Sequence, residues 1–176
     1  MHVKAKKMAF GGLMLALTVI CMLLGSVVET NTLFLLAAAS FFVGIIIREF
    51  GWKTGAAFYL AGVLLGMILT PNKLYVVSYA GMGLYILLIE LIWDKLGRIP
   101  ADINRKALFW TAKYLIFNLM YIPGVFGFQK VLFSRKMSVG VLLVVLLIGQ
   151  VGLFVYDWAY EYMQRNIWSK IRGKIL

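Results

Sequence analysis

Six apolar, charge-poor segments alternate with short polar gaps along the chain: Met8–Val28, Thr32–Ile47, Thr54–Thr70, Leu74–Trp93, Ala107–Ile122 and Ser138–Tyr156. A bilayer core of about 30 Å is crossed by about 20 helical residues, or somewhat fewer when interfacial residues complete the span. The pattern therefore predicts an all-α membrane protein with six transmembrane helices in one polytopic domain, residues 1–176. The gaps Glu29-Thr30-Asn31 and Pro71-Asn72-Lys73 are short enough to force the helices they join into antiparallel neighbours. The longest inner connection, Asp94–Lys106, contains Gly97, Pro100 and four basic residues, and divides a four-helix front from a two-helix back.

Charge orients these helices. With the N-terminus in the cytoplasm, thirteen of the eighteen Lys and Arg residues fall on the inner side and four (Lys73, Lys130, Arg135, Lys136) on the outer side, with Lys113 inside a span. That asymmetry predicts a multi-pass protein of the cell membrane with both termini cytoplasmic. A net charge of +11 suggests nucleic acid in a soluble chain. In a chain that is 62% hydrophobic, with mean hydropathy +0.90, it reads instead as a topology signal that also suits an anionic inner leaflet. The lipid bilayer is the expected partner and nucleic acid is not. Lys4, Lys6 and Lys7 before an apolar run imitate a signal peptide, but the run is long and lacks an A-x-A-like site, so it reads as a retained first helix.

The fifth segment is the least regular. It is short, stops before Pro123 and carries Lys113, which costs about 2.5–3.5 kcal/mol at a helix centre unless its stem reaches the interface. The following stretch, 123–137, reads as a re-entrant or interfacial loop. Glu90 and Lys113 lie near the inner ends of successive helices and are expected to form a structural ion pair that offsets part of both desolvation costs.

Catalytic chemistry finds little footing. His2 is the sole histidine, Cys21 the sole cysteine, and the seven acids are dispersed. A Ser-His pair, a His-based metal site and a P-loop all lack candidates, so neither an enzyme nor a cofactor is expected. Binding features are more visible. Asn31, Asn72, Tyr75 and Tyr79 gather near outer turns, and Asn118 and Tyr121 share a face of helix 5, a set suited to a small ligand with a planar or polar part. An interfacial aromatic belt would account for Tyr75 and Tyr121 equally well. Gly12 and Ala16 in helix 1, like Gly62 and Gly66 in helix 3, stand four apart and make a flat strip for close helix approach, either within this bundle or against a partner. The run Tyr156–Tyr162, followed by Arg165, Lys170, Arg172 and Lys174, suits an aromatic anchor with a basic amphipathic tail, or a partner contact.

Six spans, inner termini and small residues opening helix 1 together resemble the substrate-binding S components of energy-coupling factor (ECF) transporters. The resemblance covers the whole chain in length and layout. It implies capture of a small, vitamin-like nutrient at the outer face, by residues such as Asn31, Asn72, Tyr75, Tyr79, Asn118 and Tyr121. It also implies docking of Gly12 and Ala16 against a transmembrane coupling protein that works with separate ATPase subunits. That family more often has alanine at both docking positions. The size and hydropathy are also similar to bacterial membrane scaffolds such as the rod-shape protein MreD, which implies protein partners and no ligand pocket.

Overall fold

The computed structural model describes residues 2–97, 104–132 and 138–175, and nearly all of these are helical, with no strand among them. Six long helices follow one another: α1 (His2–Val27), α2 (Thr32–Phe50), α3 (Trp52–Leu69), α4 (Lys73–Leu96), α5 (Arg105–Leu132) and α6 (Val139–Tyr162). The sixth continues through a π-helical stretch, Met163–Trp168, into α7 (Ser169–Ile175). Five of them, all but α5, are long and apolar enough to cross a membrane. The chain divides into two compact units, residues 1–105 and 106–176, with the boundary inside the connection that separates front from back in the sequence.

In the front unit α2 is central and touches α1, α3 and α4. It buries Leu36, Ala39, Val43, Ile45, Ile46 and Ile47, because its apolar residues run nearly all the way round. Lipid tails are as apolar as leucine, so close packing rather than hydrophobic expulsion holds such helices together. Glycines permit it here. Tyr79 of α4 seats its ring edge on Gly62 of α3, and Tyr59 of α3 lies against Gly83 of α4. One residue type thus makes the same contact in both directions, and Tyr59 Oη also donates to the Ala80 carbonyl at 3.0 Å. Gly66 receives Met22 of α1 and Val76 of α4. The hydroxyls of Thr18 and Ser40 donate to carbonyls of their own helices, Met14 and Ala37, which removes the cost of burying them.

The turns follow local chemistry. Gly51 alone joins α2 to α3, with φ of +88°, a conformation that a Cβ would strain. Its N–H donates to Ile47 O and closes α2. Asn72 accepts from Leu74 N at 3.0 Å and caps α4. Lys73 Nζ donates to the carbonyls of Met67 and Thr70 at the end of α3, where backbone acceptors are otherwise unsatisfied.

In the back unit α5 and α6 run antiparallel, as shown by the order of their contacts. Trp110 stacks on Phe154, Lys113 meets Asp157, Asn118 meets Gln150, and Tyr121 rests on Gly149. The expectation that helix 5 stops before Pro123 is corrected. The helix continues through Pro123 to Leu132, so the stretch read as a re-entrant or interfacial loop is helical over residues 123–132, and 133–137 lie outside the described residues. Proline removes one intrahelical donor and disfavours the α conformation in the preceding residue without forbidding it.

Candidate functional site

The six residues expected to bind a ligand divide between the units. Asn31, Asn72, Tyr75 and Tyr79 belong to the front, and Asn118 and Tyr121 to the back. Within the front, Asn31 precedes α2 with an exposed side chain, Asn72 is the exposed α4 cap, and Tyr75 is half-buried one helical turn before Tyr79. Tyr79 itself is fully buried against Gly62, and its hydroxyl has no hydrogen-bond partner among the described residues. Its ring packs in the core of the front unit.

Asn118 and Tyr121 are committed to the helix pair. The amides of Asn118 and Gln150 bond reciprocally, Gln150 Nε2 to Asn118 Oδ1 at 2.8 Å and Asn118 Nδ2 to Gln150 Oε1 at 3.4 Å. Asn118 Nδ2 also donates to Tyr114 O, and Tyr121 Oη donates to Val145 O at 2.8 Å. Polar groups in an apolar phase take the nearest partners that satisfy them, here on the facing helix. Both side chains thus have hydrogen-bond partners within the helix pair.

Glu90 and Lys113, expected to pair, belong to different units, and each has an ion-pair partner within its own. Glu90 of α4 meets Arg48 of α2, with Nε at 2.9 Å and Nη2 at 2.5 Å from Glu90 Oε1. Lys113 takes Asp157 of α6, with Nζ at 2.8 Å from both carboxylate oxygens, and has Glu161 at 3.8 Å. Lys113 and Asp157 are only 3% and 2% exposed. The ammonium also lies over the rings of Phe109 and Trp110, at 4.3 and 5.0 Å from their centroids, a geometry in which the ring faces attract a cation. Asp157, Glu161 and Arg165 follow at four-residue spacing, so charge runs along one face of α6 into the π-helical stretch. Gln164, buried in that stretch, donates to Tyr160 Oη at 3.3 Å.

Sequence reasoning missed Arg48, Asp157 and Gln150. A signal existed for Asp157: it is an acid among aromatics near the end of helix 6, on the helix that follows Lys113's own after a short connection. Glu90, by contrast, precedes the long connection Asp94–Lys106.

The two small-residue motifs have different fates. Gly62 and Gly66 are occupied from within the front unit. Gly12 and Ala16 are exposed, and a Cβ added at Gly12 would meet nothing within 4 Å. Packing inside the chain therefore explains the helix 3 motif and leaves the helix 1 motif unexplained.

Where α2 turns into α3 and α4 ends, a cleft of about 360 Å³ opens in the front unit, lined in part by Arg48, Gly51, Trp52, Glu90, Trp93 and Asp94. No group of three or more His, Cys, Asp or Glu side chains that could hold a metal ion occurs among the described residues. Compared with protein-family models, curated proteins and solved structures, the chain matches none of them.

Proposed function

We propose that this chain is a non-catalytic multi-pass membrane subunit that docks a second membrane protein on the small-residue face of α1. In its most specific form it is the substrate-binding S component of an ECF-type importer in the cell membrane, with both termini cytoplasmic. It would capture a small, vitamin-like nutrient at the outer face, and a coupling protein and ATPase subunits would supply the energy. The observation that carries the reading is the open flank of Gly12 beside exposed Ala16, in a chain that fills its other small-residue strip. Helices meet most closely where side chains are smallest, and in lipid that contact area is a main source of association. The exposed amides of Asn31 and Asn72, with half-buried Tyr75, remain for a ligand at the outer end.

A second reading has its own support. The commitment of Asn118 and Tyr121 to helix pairing, and of Tyr79 to the core, suits a scaffold of the MreD type, which organises envelope proteins and needs no ligand pocket. Purification from the native host separates the two. Co-purifying ATPases and a coupling protein support the importer, and cell-wall or division proteins support the scaffold. A chain that purifies alone and binds no metabolite removes both.

A further inference from the structure

We propose that the cleft at the α2–α3 turn is a seat for a zwitterionic phospholipid headgroup of the phosphoethanolamine type, carrying both a phosphate and a primary ammonium. The proposal is independent of the docking role of α1.

Depth comes first. The cleft lies at the ends of three helices, beside the Gly51 turn and the last turns of α4. Two of its walls are the indoles of Trp52 and Trp93, 41% and 54% exposed, and such amphipathic rings settle at headgroup level. A phospholipid presents phosphate and amine permanently at that depth. The volume of about 360 Å³ is at the lower end of the roughly 300–1,000 Å³ of small-molecule sites, enough for a headgroup.

Charge then selects among headgroups. The lining holds one guanidinium, Arg48, and two carboxylates, Glu90 and Asp94. Glu90 is buried and fixes the guanidinium through two hydrogen bonds to one oxygen, while the Arg48 side chain stays 32% exposed. A phosphate approaching Arg48 meets an oriented, always-charged donor fork. The lining nevertheless carries one more negative than positive charge, which opposes a headgroup that brings only a phosphate. An ammonium on the same headgroup reverses that balance. It lies against the indole faces of Trp52 and Trp93 and donates to Asp94, which is exposed at the rim. A quaternary ammonium keeps the attraction to the rings but has no N–H to donate, so it ranks between the two.

Native mass spectrometry of the purified full chain in detergent, with phosphatidylethanolamine, phosphatidylcholine and phosphatidylglycerol of identical acyl chains at equal concentration, tests this. Phosphatidylethanolamine should be retained most and phosphatidylglycerol least. Asp94→Asn and Trp93→Ala alter exposed rim residues, and each should lower the ethanolamine-to-glycerol ratio about two- to fivefold in protein that still melts cooperatively. A wild-type ratio of one, or an unchanged ratio in both variants, overturns the proposal. Soluble phosphoethanolamine is the control for source. Failure to displace the lipid at millimolar concentration supports a lipid seat, and displacement with the same dependence on Asp94 overturns it.

Discussion

Lys113 and Asp157 face each other between α5 and α6 with Nζ 2.8 Å from both carboxylate oxygens, and both side chains are buried. A charge at membrane depth is tolerated when a partner and hydrogen bonds compensate for its lost hydration. The pair therefore gives Lys113, the charge that interrupts the fifth apolar segment, a compensating partner.

Removing one partner leaves the other buried and uncompensated. Lys113→Met or Asp157→Asn alone should destabilise the protein by about 3–5 kcal/mol, while Lys113→Met combined with Asp157→Leu should recover most of the loss. Thermal unfolding of the three variants in detergent measures this, and a double variant no more stable than the worse single one would show that the pair is not the relevant unit.

Tyr79 and Gly62 form a tighter test of packing. The Tyr79 hydroxyl lacks a partner and lies where a Cβ on residue 62 would go, with Cζ 3.1 Å from that point. Gly62→Ala should cost about 1–3 kcal/mol through overpacking. Tyr79→Phe deletes a buried, unpaired hydroxyl and should be neutral or stabilising. In combination it should rescue Gly62→Ala, as read by melting temperature.

Gly12 and Gly66 should respond oppositely. A side chain at Gly66 presses on Met22 and Val76, whose nearest atoms are 3.0–3.2 Å from the new Cβ, so Gly66→Leu should lower the melting temperature. Gly12→Leu meets open space and should leave the melting temperature within about 0.5 kcal/mol of wild type. If α1 docks a coupling subunit, Gly12→Leu abolishes complex formation and uptake while ligand binding persists. Unchanged complex formation would sink the docking role.

Cysteine introduced at Asn72 and Asn104, in a background lacking Cys21, tests topology. A membrane-impermeant thiol reagent should label position 72 from outside and position 104 only after access to the inner face. Labelling of both from one side would remove the inside-terminus arrangement and the outer-face ligand with it.

Helix number and helix type were legible in the sequence, because apolar runs in a bilayer have one economical conformation and their lengths are set by its thickness. The front–back division was legible for a related reason: the long, basic connection Asp94–Lys106 interrupts the apolar pattern. The sequence also marked Gly12, Gly62 and Gly66 as close-approach positions, Lys113 as a residue in need of a partner, and Asn118 and Tyr121 as polar groups sharing one face. It did not say what each would meet. Pairing depends on which helices are neighbours and on their rotation about their own axes, and composition alone does not contain that information. Tertiary structure gave Glu90 to Arg48 and Lys113 to Asp157, turned Asn118 and Tyr121 toward α6, carried α5 through Pro123, and filled Gly62 and Gly66 of α3 from α1 and α4. It left Gly12 open, because the face of α1 that packs on its neighbours carries Phe10, Met14 and Thr18 instead.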